Sequence, residues 1–170
     1  DIQEVVAVLR SDWLTQGPVV PEFESAIANL VGCKHGIATN SATSALHLAC
    51  LAIGVGKGDI VWTSPISFVA SANCALYCGA TVDFVDISID SYNMDVNNLE
   101  KQLKSAEIEG RLPKCVIPVH LSGRSCDMKT IHKLSKKYGF KIIEDASHAV
   151  GSRYGTYPVG SCKYSDITVF

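Results

Sequence analysis

The sequence predicts an α/β fold, a three-layer sandwich in which helices cover both faces of a mainly parallel sheet. Short runs rich in valine and isoleucine alternate with longer segments of helical periodicity along most of the chain. Gly54, Gly79 and Gly139 each follow a helical segment, where glycine commonly ends a helix. Alternating strands and helices join in right-handed βαβ units, which make the strands parallel and bury both of their faces.

The N-terminal helical segment, residues 1–30, comes first. Helical spacing predicts helices over Ile2–Leu9 and Val20–Leu30, and the adjacent glycine and proline in Trp13–Pro18 separate them. The alternating region spans residues 35–170. Its strands are predicted from short β-branched runs: His35–Thr39, Asp59–Ser64, Thr81–Asp86, Lys114–His120, Lys141–Glu144 and Asp166–Phe170.

Helices in the alternating region are predicted from apolar residues that recur every three or four positions. They are Ser41–Ile53, Phe68–Tyr77, Val96–Ser105 and Met128–Tyr138. Arg153–Val159 is predicted as a small hairpin before the last strand. The chain shows no linker or internal repeat, so we expect residues 1–170 to belong to one domain.

Composition narrows the function classes. An apolar content of 47% with 19% charged residues is typical of a globular protein, and the net charge of -2 argues against a nucleic-acid partner. The seven cysteines include no C-x-x-C pair, which favours a reducing, cytoplasmic setting and no metal site. No apolar run reaches the roughly 18 residues of a membrane span.

Polar residues follow the predicted strands, at the edge of a parallel sheet where ligands bind. Asn40–Ala45 joins a strand to a helix, and Thr43 and Ser44 there could add hydroxyl donors to a phosphate at the helix N-terminus. The alternative is a plain N-cap at Asn40 or Ser41. Phe68, after the next strand, could stack on a flat heterocycle or start the core of its helix.

Glu144 and Asp145 are adjacent carboxylates at the end of an apolar strand. Alternation sends them to opposite faces, so only one need face a ligand. An ionised carboxylate beside a pyridine nitrogen would keep that nitrogen protonated, and His148 could donate to an oxygen on the same ring. The alternative is a helix cap with a surface histidine. His120, after another predicted strand, could supply a further polar group at the same edge, and it is interpreted first as a structural histidine.

Five motifs in order carry a specific resemblance. They are Leu14–Pro18, Asn40–Leu46, Pro65–Ala70, Pro118–Gly123 and Glu144–Gly151. Together they resemble those of the DegT/StrS-type sugar aminotransferases, which are fold type I enzymes dependent on pyridoxal 5′-phosphate (PLP) and act on nucleotide-linked keto sugars. The similarity covers essentially the whole chain and is greatest to the branch that aminates UDP-linked 4-keto-6-deoxy sugars at C4 for pseudaminic acid.

The resemblance implies a role for each matching residue. Thr43 and Ser44 would hold the PLP phosphate, Phe68 would stack on the ring, Asp145 would pair with the pyridine nitrogen, and His148 would contact the ring oxygen O3′. Thr15 and Gln16 would border the sugar site. The implied partners are the nucleotide-linked keto sugar, an amino donor (glutamate by family expectation) and a second copy of the chain in a homodimer.

The chain departs from the family pattern at its end. The family's Schiff-base lysine follows a strand like Asp166–Phe170, and no lysine of this chain matches it, Lys163 lying before that strand. The resemblance therefore implies that residues 1–170 are a truncated cofactor-binding large domain without the C-terminal small domain, inactive alone. Three alternatives stay open: a dehydratase of the same family, a nucleotide-binding module without PLP, and a non-catalytic interaction protein.

Overall fold

The computed structural model describes residues 1–170, which divide into two compact units, Asp1–Ala38 and Thr39–Phe170. The first unit contains helices α1 (Ile2–Leu9) and α2 (Val19–Val31), which match the predicted helices to within one residue. Gly32 ends α2 with a φ of 73°, a left-handed conformation that glycine adopts without steric cost.

The strand predicted over His35–Thr39 is wrong. These residues form no strand, and Gly36 and Ala38 lie instead against Glu24 of α2, within the first unit. The Ala38 N–H donates to Glu24 Oε1 at 2.7 Å, and a Cβ on Gly36 would lie 2.5 Å from the Glu24 carbonyl oxygen. Because the Ala38 N–H is bonded to a side chain, it cannot donate to a neighbouring strand. A short apolar run in the sequence does not reveal such a contact.

The second unit has the predicted alternation. Its helices are α3 (Ala42–Ala52), α4 (Ala70–Tyr77), α5 (Val96–Ile108) and α6 (Met128–Tyr138). Its main strands are β1 (Ile60–Thr63), β2 (Thr81–Phe84), β3 (Cys115–Ile117) and β4 (Lys141–Asp145). They are followed by the predicted hairpin of β5 (Arg153–Tyr154) and β6 (Tyr157–Pro158), and by β7 (Ile167–Val169). None of the six α-helices has the length and hydrophobicity to cross a membrane.

One parallel sheet organises this unit, with strand order β2-β1-β3-β4-β7. Side chains alternate between its faces. Val61, Ile117 and Ile143 pack with α3 and α4 on one face, whereas Trp62, Val116 and Ile142 pack with α5 and α6 on the other. The predicted three-layer α/β sandwich is confirmed.

Two element boundaries bear on the site. β3 ends at Ile117 rather than His120 because Pro118 has no N–H to donate. Pairing resumes one residue later, where the Asp145 N–H donates to the Pro118 carbonyl at 3.0 Å and the His120 N–H donates to the Asp145 carbonyl at 2.9 Å. α4 begins at Ala70, so Phe68 precedes the helix instead of lying inside it.

Candidate active site

A pocket of about 300 Å³ lies where the loops after β1 and β3 meet the end of β4 and the first turn of α3. This volume is at the lower end of the range for ligand pockets. Its polar and aromatic lining comes from Thr43, Ser67, Phe68, Asp145, Ser147 and His148. Four residues singled out from the sequence, on three separate segments, therefore line one pocket.

Asp145 is the charged centre of the pocket. Its side chain points to the α3/α4 face and is only 5% exposed. Ser71 Oγ donates to Oδ2 at 2.6 Å, and Ser147 Oγ donates to Oδ1 at 2.7 Å. No lysine or arginine lines the pocket. Because a buried carboxylate is costly without a cationic partner, the pocket suits a ligand that carries a protonated nitrogen.

Ser71 is a residue of the candidate site that no pattern in the sequence predicted. It lies in the first turn of α4, is buried, and has its hydroxyl 2.9 Å from that of Ser67. The two serines are four residues apart, so they share one side of the chain as it enters the helix. That spacing was the only signal in the sequence, and it does not indicate a carboxylate partner 74 positions away.

The two hydroxyls predicted to bind phosphate have different surroundings. Thr43 is half-buried and lines the pocket from the first turn of α3. Ser44 does not line the pocket, and its Oγ lies 3.2 Å from Ser41 Oγ. Ser41 is the N-cap, because its Oγ accepts a hydrogen bond from the Ser44 N–H at 3.2 Å. The positive end of the α3 dipole at this turn favours an anion beside Thr43.

Phe68 and His148 form the open side of the pocket. Phe68 is 73% exposed, so it is not the core residue that one interpretation of the sequence allowed. A bare aromatic ring at the wall of a pocket is suited to stack on a planar ligand. His148 is exposed as well, and its Nδ1 accepts a hydrogen bond from the Ser122 N–H at 3.3 Å.

Glu144 and His120 lie on the opposite face of the sheet from Asp145. Glu144 Oε2 is 2.7 Å from His120 Nε2, and His120 is completely buried. Glu144 Oε1 accepts hydrogen bonds from Ser165 Oγ and Thr168 Oγ1. His120 therefore does not face the pocket, in agreement with its interpretation as a structural histidine. Two adjacent carboxylates can end this apolar strand because Glu144 is hydrogen-bonded to His120 on one face and Asp145 lines the pocket on the other.

The remaining candidates lie outside this pocket. Thr15 and Gln16 are exposed residues of the first unit, so their predicted place beside a sugar stays a prediction. Lys163 is exposed, with its Nζ 5.3 Å from the Tyr157 ring centroid. No group of three or more histidine, cysteine or acidic side chains is arranged to hold a metal ion.

The whole chain, residues 1–170, matches the model of the DegT/DnrJ/EryC1/StrS aminotransferase family. The chain therefore belongs to this family, and the resemblance seen in its motifs is confirmed.

Two relatives are similar to the chain over its whole length. It is 44% identical over 170 residues to the spore coat polysaccharide biosynthesis protein SpsC of Bacillus subtilis. It is 43% identical over 172 residues to a UDP-4-amino-4,6-dideoxy-N-acetyl-beta-L-altrosamine transaminase of Campylobacter jejuni. In each case the match covers 100% of this chain, and it covers 42% and 43% of the two relatives.

Among solved structures, the chain is similar to the PLP form of Spr1654 from Streptococcus pneumoniae, a protein assigned as a sugar aminotransferase. The TM-score is 0.85 at 32% identity, and the match covers 98% of this chain and 44% of the other. The chain thus spans less than half the length of the relatives that it matches.

Proposed function

We propose that the pocket binds the PLP of a sugar aminotransferase. The observation that carries this proposal is the buried Asp145 carboxylate, which faces the pocket with two hydroxyl donors and no cationic side chain. A protonated pyridine nitrogen would supply the missing positive charge. When bound, PLP supplies an electron sink that allows an amino group to move between donor and acceptor.

Each pocket residue has a task suited to its position. Asp145 holds the ring nitrogen in its protonated form, and Ser71 and Ser147 orient that carboxylate. Phe68 covers one face of the ring, and Thr43 binds the phosphate at the first turn of α3. His148 donates a hydrogen bond to the ring oxygen. We propose Ser44 as a second phosphate contact. It would bind through its backbone N–H, or through its hydroxyl after rotation away from Ser41.

The acceptor that we propose is a UDP-linked 4-keto-6-deoxy sugar, aminated at C4 with glutamate as the donor. The similarity to the Campylobacter jejuni transaminase supports a nucleotide sugar of this kind, and the similarity to SpsC supports a role in polysaccharide biosynthesis. Thr15 and Gln16 are the residues that we propose beside the sugar. Synthesis of pseudaminic acid is the specific route that the altrosamine relative favours.

Amino transfer also needs a lysine at the cofactor, and none lines this pocket. Lys163, the nearest in sequence to the family's position, has its ammonium group against the Tyr157 ring. We therefore expect residues 1–170 alone to transfer no amino group. The proposed activity therefore depends on a lysine that the lining of this pocket does not supply.

Substitution of Asp145 by asparagine tests the proposed activity. Asparagine keeps the size of the side chain but removes the charge that holds the ring nitrogen protonated. In the full-length protein we expect Asp145→Asn to lower kcat for amino transfer by at least about 100-fold, with the fold retained by circular dichroism. Asp83→Asn, an exposed carboxylate on β2, is the matched control. A kcat for Asp145→Asn within a few-fold of the parent's would contradict the role.

A further inference from the structure

The turn Leu121–Gly123 touches His148 at two points. The Ser122 N–H donates to His148 Nδ1 at 3.3 Å, although Ser122 has a φ of 52°, a conformation uncommon outside glycine. Gly123 has a φ of 85°, and a Cβ there would lie 3.0 Å from the His148 carbonyl oxygen. Strained backbone persists where the surrounding structure holds it, and here it lies against the pocket.

Buried polar side chains anchor this turn. His120 Nε2 lies 2.7 Å from Glu144 Oε2, and His120 Nδ1 accepts a hydrogen bond from the Cys126 N–H at 3.3 Å. Since Nδ1 is an acceptor, the His120 proton is on Nε2 and is donated to Glu144. The Leu121 N–H donates to Asn93 Oδ1 at 3.1 Å, and Asn93 is itself buried. Asn93 Nδ2 also donates to the Arg124 carbonyl at 2.8 Å, just after the turn, so both ends of the turn are anchored.

We propose that the turn Leu121–Gly123, anchored by the buried His120–Glu144 pair, is a positioning element that holds His148 as its Nε2–H tautomer. A backbone N–H can donate to Nδ1 only while that nitrogen keeps its lone pair, so the neutral ring carries its proton on Nε2. With Nδ1 turned to Ser122, Nε2 is the nitrogen left for the pocket.

The chemical consequence is a fixed donor at the pocket wall. An Nε2–H can donate to an anionic oxygen of a ligand, whereas the other tautomer would present a lone pair and repel it. This inference rests on the proposed function only for the identity of that oxygen, which would belong to the cofactor ring. Ser122 and His120 act through His148 and are positioning residues rather than catalytic ones.

Nitrogen NMR of the protein without PLP tests the proposal directly. In ¹⁵N-histidine-labelled protein, at a pH where His148 is neutral, two-bond proton–nitrogen spectra distinguish a protonated from an unprotonated ring nitrogen. The His148 signals are assigned by their loss in His148→Gln. We expect an unprotonated Nδ1 and a protonated Nε2. Averaged shifts from a mixture of tautomers, or a protonated Nδ1, would overturn the proposal.

A pair of glycine variants separates positioning from stability. Gly123→Ala places a methyl group against the His148 carbonyl, and we expect it to move the turn and give averaged tautomer shifts for His148. Gly139→Ala introduces the same strain, at a φ of 84°, with no atom within 4 Å of the added Cβ. It should lower the Tm comparably and leave the His148 spectrum unchanged. The same His148 spectrum in the two variants, whether averaged in both or unchanged in both, would refute the role of the turn.

Binding of pyridoxamine 5′-phosphate to the same samples distinguishes this inference from the proposed function. A single Nε2–H tautomer without any binding would leave the positioning role intact and reject the cofactor pocket. Saturable binding by a protein whose His148 populates both tautomers would support the pocket and reject the positioning role.

Discussion

At the scale of single residues, the site is defined by what surrounds Asp145. Ser71 Oγ donates to Oδ2, and both the Oγ and the N–H of Ser147 donate to Oδ1, while the carboxylate still lines the pocket. Hydrogen bonds to a charged group are each worth about 1.5–3 kcal/mol, so they offset part of the cost of burial but leave room for a cation. The neighbouring Glu144 is instead satisfied within the protein by His120, Ser165 and Thr168.

Thr43 provides the residue-scale test of phosphate binding. Thr43→Val keeps the shape of a side chain that lines the pocket and removes its hydroxyl. We expect it to weaken binding of pyridoxamine 5′-phosphate by about 3- to 10-fold, since one hydrogen bond contributes about 0.5–1.5 kcal/mol, and to leave binding of pyridoxamine unchanged. Titration calorimetry with both ligands measures the difference. Equal losses for the two ligands would show that Thr43 does not contact the phosphate.

Ser44→Ala is the companion variant. Its hydroxyl lies beside Ser41 and outside the pocket lining, so we expect a smaller loss of phosphate-dependent affinity than for Thr43→Val. A larger loss would mean that Ser44 is the main hydroxyl contact and that its side chain turns on binding.

At the scale of elements, the position of Asp145 depends on how β4 is held between β3 and β7. Asp166, just before β7, accepts hydrogen bonds from Lys141 Nζ at 2.8 Å and from the Ile142 N–H at 2.9 Å. Burial raises the pKa of the Asp166 carboxyl, but these two hydrogen bonds and the charge of Lys141 outweigh burial and hold the pKa below its usual 3.8. The ionised Asp166 therefore favours the native register of β4 and β7.

Asp166→Asn tests that register through its pH dependence. Because the folded-state pKa is depressed, the stabilisation is complete above the usual pKa of 3.8 and is lost as the pH falls through the lower folded value. We expect the variant to unfold at lower urea concentration than the parent near neutral pH, with the difference closing in acid. Glu107→Gln, an exposed carboxylate on α5, is the control. A difference that persists unchanged into acid would contradict the charge-based explanation.

Periodicity and glycine stops were sufficient to predict every helix and the sheet strands of the second unit. The α6 prediction matches the structure at both ends because Asp127 caps its start and Gly139 ends it, two local signals that sequence shows directly. The His35–Thr39 strand failed because its outcome depends on Glu24, which no local pattern identifies as its partner.

The site was predictable only where residues follow strands. Phe68, Asp145 and His148 could be proposed because each comes just after a strand or at its end, where parallel sheets bind ligands. Thr43 was proposed from a strand that the structure does not contain, and it lines the pocket from the first turn of α3 instead. Ser71 could not be proposed, because it is a helix residue whose importance depends on which helix crosses the end of β4. The contact from Ser122 to His148 was equally hidden, since it is made by a backbone N–H that has no sequence signature.

At the scale of the whole molecule, the second unit leaves an apolar patch on the outer side of α3 and α4. Its members are at least half exposed: Leu48, Leu51, Leu76 and Tyr77. The His47 and Tyr77 rings, 5.4 Å apart, join the two helices into one surface. Exposed apolar patches of this kind mark interaction sites, and we expect this one to take part in the predicted homodimer.

Leu51→Glu tests that expectation. A charge at the centre of the patch would have to be buried in the dimer, so we expect sedimentation velocity to show a shift toward monomer at concentrations where the parent self-associates. Lys101→Gln changes the charge by the same amount at an exposed position of α5 and should leave the distribution of monomer and dimer unchanged. Self-association of Leu51→Glu equal to that of the parent would place the interface elsewhere.

Binding of pyridoxamine 5′-phosphate tests most directly whether Phe68 and Asp145 belong to one cofactor pocket. This ligand has the ring and phosphate of PLP but no aldehyde, so surface lysines cannot capture it. By titration calorimetry we expect saturable one-to-one binding, weakened at least about 10-fold by Asp145→Asn or Phe68→Ala and unchanged by Phe84→Ala, an exposed phenylalanine on β2. Absence of saturable binding, or parental affinity in both pocket variants, would contradict the cofactor pocket.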